Sequence, residues 1–304
     1  MAVHWFPGHM HKARKEIKKI MPKIDLIIEV LDARIPYSSE NPLISQLRGD
    51  KPCIKLLNKS DLADPNITQQ WIEYFQNEQG VKALSVTTEQ PSKILQLPSL
   101  CKKMLPHRSK NDKPLRTMIM GIPNVGKSSI INILAKRVIA KVGDEPAVTR
   151  RQQMIFLDNN LQLSDTPGIL WPRFENPNSG YRLATTGAVK DTAMEYDDVA
   201  MFAVEMLAKL YPEKLTSRYK LAELPEQPLQ IIEAIGSKRG CLRAGGIIDL
   251  HKASEILINE FQDGKIGKIS LENPPMIEIE KAELEEKRLA EKALLEAEKK
   301  QNSK

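Results

Sequence analysis

The sequence predicts an α/β fold: a mostly parallel six-stranded sheet with helices on both faces, followed by a smaller all-α domain. Three observations lead to this prediction. Short apolar segments alternate with helical stretches between residues 25 and 165, as in a parallel sheet covered on both faces. A glycine-rich motif lies between one of these segments and a helical stretch. After about residue 175 only helical periods remain.

Six segments are predicted to be strands. The first four are near-continuous apolar runs, which is typical of buried strands in a parallel sheet. The last two flank Asn-Asn, which suits a tight hairpin turn, so they would form an antiparallel edge. In chain order, the predicted strands are 25–33, 53–58, 82–88, 116–121, 152–158 and 161–165.

The pattern divides the chain into three regions. Residues 1–175 are expected to form the sheet domain with a basic N-terminal helix, and 176–276 a helical domain. Helical periods are clearest in 197–211 and 250–261. The tail, 277–304, is nearly pure Glu, Lys, Ala and Leu with interleaved charges. It is predicted to be an exposed helix fraying into disorder, without chemistry of its own.

Length and composition exclude several classes of protein. A chain of 304 residues is long enough for two domains that each bury a core. No apolar run approaches the roughly 18 residues of a membrane span, and no apolar segment precedes the N-terminal charges, so we expect a cytoplasmic protein without a membrane partner. Cys53, Cys101 and Cys241 stand apart from one another, so neither a disulfide nor structural zinc is expected.

The formal net charge of +6 is unevenly placed. Residues 1–23 carry six lysines and arginines against Glu16 alone. A helix over residues 10–23 would place apolar side chains on one face and Lys12, Lys15 and Lys19 on another. Such a face suits an RNA backbone, although a solvated lysine face on an ordinary amphipathic helix is equally consistent with the pattern.

The segment GIPNVGKS, residues 121–128, matches the phosphate-binding motif G-x-x-x-x-G-K-[ST]. It follows an apolar strand and opens a helix, which is the context that this motif requires. Backbone N–H groups and the helix N-terminus would bind the phosphates, Lys127 would neutralise the β and γ oxygens, and Ser128 would ligate magnesium. The predicted nucleotide contacts in this loop are Asn124, Val125, Gly126, Lys127, Ser128 and Ser129.

A second motif, DTPG at 165–168, lies at the end of a predicted strand. There Asp165 can reach the magnesium shell, and the Gly168 amide can meet the γ-phosphate. Between the two motifs, Thr149 in EPAVTRR is the expected second hydroxyl on magnesium. Ser128, Thr149 and Asp165 are therefore the predicted magnesium ligands, and Lys127 and Thr149 are predicted to take part in catalysis.

A third motif, NKSD, would identify the base. The Asp61 carboxylate can accept hydrogen bonds from the ring N–H and the exocyclic amine of guanine, a donor pair that adenine lacks. Lys59 can lay its stem over the base, and Asn58 can brace the loop. Ser85, in SVTT, would offer backbone contacts to the guanine oxygen, although this stretch equally suits a plain strand end.

The order of these motifs is unusual, because NKSD precedes the phosphate loop. In a parallel sheet the ligand lies at the carboxyl ends of the strands, and those ends stay together however the chain is cut and rejoined. The sequence therefore predicts a circularly permuted P-loop GTPase domain with GTP as substrate and Mg²⁺ as cofactor.

Together, WFPGHM at the start, DARIP at 32–36, NKSD, GIPNVGKS and DTPGILWP resemble the circularly permuted ribosome biogenesis GTPases. The nearest likeness is to the ribosome biogenesis GTPase A family, and it continues through KRGCLRAGG (238–246) and DGKIGKISLE (263–272). The resemblance implies GTP hydrolysis coupled to binding of a late large ribosomal subunit precursor, with the helical domain contacting its rRNA. We expect a monomer that alternates between GTP and GDP.

The group that orients the attacking water is not obvious. Many GTPases place glutamine directly after DxxG, but here Ile169 and Leu170 follow, and neither can hydrogen-bond to water. The resemblance implies that His9, in PGHM, takes this role as a catalytic residue. From the residues alone, His4, His9 and His11 equally suit a basic patch that faces RNA.

Two further assignments keep their alternatives. Asn124 resembles the asparagine of GTPases that use potassium beside the phosphates, yet an asparagine in a loop is also a common turn former. In the helical domain, a cluster of basic residues around glycines suits RNA backbone contacts, and a solvated loop is the alternative. The predicted RNA-binding residues of this cluster are Lys238, Arg239, Arg243 and Lys252.

A different functional class also fits the sequence. A GTP-dependent rRNA-binding placeholder would use the same motifs, with hydrolysis incidental to its role. A permuted GTPase of small-subunit assembly is disfavoured, because a zinc-binding cysteine cluster is expected in such proteins and the cysteines here do not form one.

Overall fold

The computed structural model describes residues 15–109, 113–139, 153–157, 160–168, 170, 174–189 and 195–302. The predicted site residues His9, Lys12 and Thr149 lie outside the described residues, as does Ile169.

Six strands form one sheet in the order β3-β2-β1-β4-β6-β5. Neighbouring strands are parallel except for β5, which pairs antiparallel with β6 at one edge. This arrangement confirms the predicted mostly parallel sheet and its antiparallel edge. The strands are β1 (Leu26–Asp32), β2 (Cys53–Asn58), β3 (Val81–Ser85), β4 (Leu115–Gly121), β5 (Gln153–Leu157) and β6 (Leu161–Asp165).

Every residue of β1, β2 and β6 is buried, as expected for strands that are covered on both faces. The predicted strand at 82–88 ends earlier, at Ser85. Beyond it, the Val86 amide still donates to the Leu57 carbonyl, and Thr87 then pairs with Gln90 across a turn. The chain leaves the sheet there because this turn reverses its direction.

The strand register brings the carboxyl ends of four strands to the same edge. Asp32 of β1 lies opposite Asn58 of β2, and Val30 lies opposite Gly121 of β4. On the next strand along, Asp165 of β6 lies opposite Ile119 of β4. The loops that follow these strands therefore emerge side by side, where parallel α/β sheets bind their ligands.

Helices cover both faces of the sheet. The described helices of the first half are α1 (15–20), α2 (Pro36–Ser39), α3 (Pro42–Arg48), α4 (Pro65–Gln76), α5 (Ser92–Leu95), α6 (Leu97–Met104), α7 (Pro106–Ser109) and α8 (Lys127–Ala135). Those of the second half are α9 (Pro177–Thr185), α10 (Tyr196–Leu210), α11 (Pro212–Tyr219), α12 (Pro228–Arg239), α13 (Leu250–Gln262) and α14 (Pro274–Asn302).

The N-terminal helix differs from the predicted single helix over 10–23. Within the described residues α1 covers 15–20, and the chain then tightens into a 3₁₀ turn at Met21–Lys23. Pro22 has no N–H to continue the α-helical hydrogen bonds, which accounts for the change. Ile17 and Met21 are buried, whereas Lys15 and Lys19 are exposed, so this segment is amphipathic as predicted.

Two clusters of buried apolar side chains lie on the two faces of the sheet. One face, with Leu26 and Ile28, shares a continuous core with the helical region, which includes Val204 of α10 and Ile258 of α13. The other face, with Ile27, packs against α1 and α4. The sheet and the helical region thus share one core, with continuous packing across the predicted boundary at 175.

The start of α14 is packed, which corrects the expectation of a tail exposed from residue 277. Ile277 is fully buried in the cluster that contains Trp71 of α4. Three residues later, Glu280 accepts hydrogen bonds from Arg182 at 2.9 and 2.6 Å. An apolar side chain and an ion pair within one helical turn explain this docking. Exposed residues alternate with covered ones up to 284, and every residue over 285–296 is exposed.

Arg182 of α9 is the centre of a buried polar cluster. Its guanidinium pairs with Glu280 and lies 3.5 Å from the Glu272 carboxylate. Glu272 also accepts hydrogen bonds from the amide and hydroxyl of Ser38 in α2, and its carbonyl accepts from the Trp71 indole. The cluster therefore ties the helical region and the base of α14 to the sheet domain.

The three cysteines are buried and free. Burial raises the pKa of the Cys101 thiol to about 12 and also raises the pKa values of Cys53 and Cys241. No helix in the described part of the chain is long and apolar enough to cross a bilayer.

A buried charge cluster crosses the middle of the sheet. Glu29 of β1 lies opposite Lys55 of β2, whose ammonium bonds to Glu40 at 2.8 Å and Glu78 at 2.6 Å. Burial, and then the negative charge of Glu40, raise the pKa of Glu29 to about 8. The Asn41 amide donates a hydrogen bond to the Glu29 carboxyl group.

We expect Glu29→Gln to change how stability depends on pH. Between about pH 4.5 and about pH 8 the folded protein keeps a proton on Glu29 that the unfolded chain has released, so this group lowers the free energy of unfolding as pH rises. Glutamine does not ionise and keeps an oxygen for Asn41. Urea denaturation across this range should show the variant gaining stability over the wild type as pH rises. Glu283→Gln, on the exposed part of α14, is the control, and a constant difference for Glu29→Gln would contradict the assignment.

Candidate nucleotide-binding site

The phosphate-loop motif spans the turn between β4, which ends at Gly121, and α8, which begins at Lys127. Gly126 has a φ of 95°, in the region that favours glycine. A side chain at this position would also overlap the amide nitrogen of Asn58. The glycine is therefore required both by backbone conformation and by the close approach of the NKSD loop.

A hydrogen bond connects the two motifs. The Asn58 side-chain amide donates to the Val125 carbonyl at 2.8 Å, between residues 67 positions apart in the chain. Asn58 ends β2 and Val125 follows β4, and both strands flank β1. NKSD and the phosphate-loop motif thus lie side by side, as expected for a permuted chain.

Lys127 is buried at the centre of the phosphate loop. Its ammonium donates to the carbonyls of Gly121 at 3.1 Å and Ile122 at 2.6 Å. Burial lowers the pKa of Lys127 to about 8, and the nearby Asp165 carboxylate opposes this shift. Bound phosphate would likewise favour the charged form of the lysine, because an adjacent anion stabilises an ammonium.

Asp165 is the last residue of β6 and is buried next to Lys127. Both of its carboxylate oxygens lack a hydrogen bond of normal geometry within the described residues. Burial raises the pKa of Asp165 to about 6, whereas the charge of Lys127 acts in the opposite direction. A buried carboxylate with unused oxygens fits a hard cation.

The residues present therefore fit magnesium. Ser128, in the first turn of α8 directly after Lys127, would supply a hydroxyl, and Asp165 would supply a carboxylate. No three His, Cys, Asp or Glu side chains group around a common metal position in the described part of the chain. In nucleotide sites magnesium takes one or two protein ligands together with phosphate oxygens and water.

The DTPG segment packs directly on the phosphate loop. A Cβ added to Gly168 would lie 2.8 Å from both the Pro123 N and Cα atoms and 3.1 Å from the Lys127 ammonium. The Thr166 hydroxyl donates to the Ile119 carbonyl of β4 at 2.8 Å. Only glycine fits at position 168, so its amide lies next to the lysine that would hold the phosphates.

The NKSD loop is held in a defined turn. Lys59 has a φ of 59°, which is uncommon for a residue with a side chain. The Ser60 amide donates to the Val86 carbonyl at 3.2 Å, and Asp61 follows in the turn, half-buried. Ser85, at the end of β3, accepts hydrogen bonds from Lys93 through its carbonyl and hydroxyl oxygens. The next residue, Val86, contacts the NKSD loop through Ser60, so Ser85 lies beside that loop.

Two residues in the site carry a role that the sequence reasoning did not assign. Asp32 and Arg34, in DARIP, form a buried ion pair in which Arg34 Nε and Nη2 donate to both carboxylate oxygens at 3.0 and 2.8 Å. The Lys59 ammonium lies 3.5 Å from the same carboxylate. An acidic residue at the carboxyl end of a central parallel strand is the sequence signal that could have identified this site.

Two basic neighbours, Arg34 and Lys59, stabilise the ionised form of Asp32. Burial alone would raise the pKa of the carboxyl group, but the positive charges of Arg34 and Lys59 outweigh this effect and lower the pKa to about 2. Asp32 is therefore ionised at any physiological pH and attracts Lys59 throughout that range.

The helical region contacts both nucleotide loops. At the phosphate loop, the Asn124 side-chain amide donates to the Gly187 carbonyl at 2.9 Å. At the NKSD loop, the Ile269 amide donates to the Leu62 carbonyl at 2.9 Å. Asn124 has a φ of 56°, as in a turn former, and its side chain makes a structural contact; the potassium role stays a prediction.

The predicted RNA-binding residues that the structure describes fall into two groups. Lys15 and Lys19 are exposed on α1, which packs on the opposite sheet face from the core shared with α12 and α13. The second group lies at the junction of α12 and α13, where Lys238 and Lys252 are exposed. In that group Arg239 pairs with Glu260 at 2.8 Å, and Arg243 pairs with Asp249 at 2.9 Å.

Comparison with known proteins agrees with this geometry. A family model described as 50S ribosome-binding GTPase matches residues 116–234. Ribosome biogenesis GTPase A of Priestia megaterium is 47% identical over 282 residues, covering 90% of this chain and 98% of that protein. Ribosome biogenesis GTPase A of Thermotoga maritima is 31% identical over 270 residues, covering 89% of this chain and 94% of that protein.

Two solved structures resemble this chain in fold along most of its length. The GDP-bound structure of TM YlqF has a TM-score of 0.64 and 28% sequence identity, covering 86% of this chain and 99% of that chain. The GNP-bound YlqF from T. maritima has a TM-score of 0.63 at 28% identity, again covering 86% of this chain. The similarity extends over the sheet and the helical region, in sequence and in fold. The chain therefore belongs to the ribosome biogenesis GTPase A family and is a GTP hydrolase that acts in ribosome biogenesis.

Proposed function

We propose that this GTPase binds a late large ribosomal subunit precursor through its rRNA and hydrolyses GTP to time both maturation of the particle and its own release. The observation that carries the proposal is the hydrogen bond from Asn58 to Val125, which supports closure of the base-reading and phosphate loops around one nucleotide. We propose further that the protein works in the cytoplasm as a monomer, with GTP and GDP as its alternating ligands.

The phosphate site would act through charge and backbone donors. Amides of the loop and of the first turn of α8 would bind the phosphates, because helix N-termini favour anions. Lys127 would exchange its carbonyl partners for β and γ oxygens, and the Gly168 amide would meet the γ-phosphate. When bound, magnesium would neutralise phosphate charge. Its proposed ligands are Ser128, Asp165 and Thr149, the last from outside the described residues.

Potassium is a second, optional cation beside Asn124. A comparison of GTP turnover in potassium and sodium salts tests this part of the proposal.

The base would be recognised by Asp61 and Lys59. Asp61 would accept from the two guanine donors, and the Lys59 stem would cover the base. Ser85 ends the neighbouring strand β3, and its backbone would contact the guanine oxygen. The turn conformation of Lys59 and the bond from Ser60 to Val86 support a preformed loop.

Nucleotide state would alter the helical region. Gly168 packs on the phosphate loop, and the chain after DTPG leads into α9. Loss of γ-phosphate contacts typically releases switch segments, so GTP would favour one arrangement of the RNA-facing surface and GDP another. A placeholder in which hydrolysis is incidental is the alternative. Normal subunit maturation with a hydrolysis-deficient variant that still binds GTP would favour that alternative.

We expect Asp61→Asn to shift base preference from guanine toward xanthine nucleotides. Asparagine offers one acceptor and one donor, which match the xanthine edge, and each lost charge-assisted hydrogen bond costs about 1.5–3 kcal/mol, or roughly tenfold or more in affinity. Competition binding with GDP and xanthosine diphosphate measures the change. Asp64→Asn is the control, because Asp64 caps α4 and asparagine caps equally well. Unchanged preference in Asp61→Asn would rule out base reading by this loop.

We expect the protein to cosediment with large-subunit precursors more strongly with a non-hydrolysable GTP analogue than with GDP. Binding through lysines and arginines to an RNA backbone should also weaken steeply as salt rises. In the Asp61→Asn variant, a non-hydrolysable xanthosine triphosphate analogue should promote cosedimentation and the GTP analogue should not. This result would show that the nucleotide controls binding and that binding is not merely non-specific. Equal association in the two nucleotide states would contradict the proposed timing role.

We expect His9→Ala to lower precursor-stimulated GTP turnover by about 100-fold with unchanged GTP affinity, since a positioned side chain contributes about 10²–10⁴-fold to proton transfer. The reason to look beyond DTPG is that Ile169 and Leu170 cannot orient water. His11→Ala is the matched control. If His9→Ala weakened only precursor binding and kept full turnover on bound particles, an RNA contact would replace the catalytic role.

A further inference from the structure

We infer that Asp32 and Arg34 are positioning residues for guanine recognition. In this inference Asp32 directs Lys59 over the base, and Arg34 holds Asp32 against the helical region. The pair thereby strengthens the preference for guanine that Asp61 sets, because only a base that Asp61 holds lies under the Lys59 stem. It rests on the proposed base-reading role of the NKSD loop.

Asp32 is placed to control Lys59. It ends β1 directly opposite Asn58, and its amide is held by the Ser39 hydroxyl at 3.0 Å. The Asp32 side chain is only 3% exposed, and the Lys59 ammonium lies 3.5 Å from it. A lysine side chain with four rotatable bonds adopts many conformations in solvent, and a buried fixed anion reduces that number. The result is a defined path for the Lys59 stem across the loop.

Arg34 connects this carboxylate to the helical region. Its guanidinium carbon lies 5.4 Å from the centre of the Phe261 ring in α13, and Nη2 donates to the Thr186 carbonyl at 3.4 Å. The Arg34 carbonyl accepts from the Leu271 amide at 2.9 Å. The planar guanidinium group thus binds both Asp32 oxygens while it contacts an aromatic ring, a combination that lysine cannot reproduce.

The burial of this pair favours a positioning role over a stabilising one. Removing two charges from water costs about as much as their attraction returns, so a buried ion pair contributes little net stability. The geometry instead serves orientation, because one carboxylate binds both Arg34, which contacts the helical region, and Lys59 of the NKSD loop. The placement of Lys59 therefore depends on α13 and on the chain around Leu271.

The test measures dissociation constants for GDP and ADP by competition with a fluorescent GDP analogue. Asp32→Asn keeps the shape of the side chain but removes the charge that attracts Lys59. We expect GDP affinity to fall about tenfold with little change in ADP affinity, so the ratio between the two falls about tenfold. Arg34→Lys should lower the same ratio, and Phe261→Leu, which removes only the ring, should lower it about threefold.

Arg182→Lys is the matched control. Arg182 is as deeply buried as Arg34 and binds carboxylates in the same helical region, but its acidic partners are Glu272 and Glu280. This variant should lower the thermal midpoint and leave the ratio of GDP to ADP affinity unchanged. A change of ratio in Arg182→Lys as large as in Arg34→Lys would overturn the inference, because any buried arginine would then have the same effect.

The remaining outcomes are separable. An equal loss of GDP and ADP affinity in Asp32→Asn would show general damage to the site and would overturn the positioning role, as would an unchanged ratio in both Asp32→Asn and Arg34→Lys. If Asp32→Asn does not fold, the Arg34→Lys ratio decides. A xanthine shift in Asp61→Asn together with unchanged ratios in these variants would refute only this inference. Without that shift the base-reading role fails, and this inference fails with it.

Discussion

The hydrogen bond from the Asn58 side chain to the Val125 carbonyl is the contact on which the site depends. It is possible because β2 and β4 lie on either side of β1 and end at the same edge of the sheet. The absence of a side chain at Gly126 lets Asn58 approach the loop. The order of the motifs in the chain is therefore irrelevant to the site, provided that the strands keep these places. A permuted GTPase retains its ligand geometry for this reason.

The helical region is packed against the sheet and against both loops of the candidate site. It shares a core with one sheet face and contacts the phosphate loop through Asn124 and the NKSD loop through Leu62. Arg34 adds a third contact, through Thr186 and Phe261. The proposed effect of nucleotide state on the helical region would therefore act through contacts at both loops, besides the route along the chain after DTPG.

The sequence predicted those parts of the structure that depend on local patterns of residues. The bounds of β2 and β6 agree with the predicted strands 53–58 and 161–165, because buried parallel strands are continuous apolar runs. The proximity of Asn58 to the phosphate loop followed from parallel strand ends. The end of α1 at residue 20 was not predicted. Pro22 indicates such an end, but the helical period of apolar residues continues up to Met21, and the predicted helix therefore extended to residue 23.

Contacts between distant segments could not be predicted. Arg34 and Thr186 are 152 residues apart, and no periodicity indicates that they meet. The docking of Ile277 against the Trp71 cluster was likewise hidden within a charged helical tail. The burial of Asp165, and hence its raised pKa, depends on how DTPG packs on the phosphate loop. Such features arise from tertiary packing, which one sequence does not encode in a local pattern.

The burial of all three cysteines has a practical consequence. Their thiols are covered and poorly ionised near neutral pH, so maleimide reagents should react with them slowly. A cysteine introduced on an exposed part of α13 and another on β3 could then carry a fluorophore pair without removal of native cysteines. Distance changes between the two dyes would follow the helical region relative to the sheet in real time.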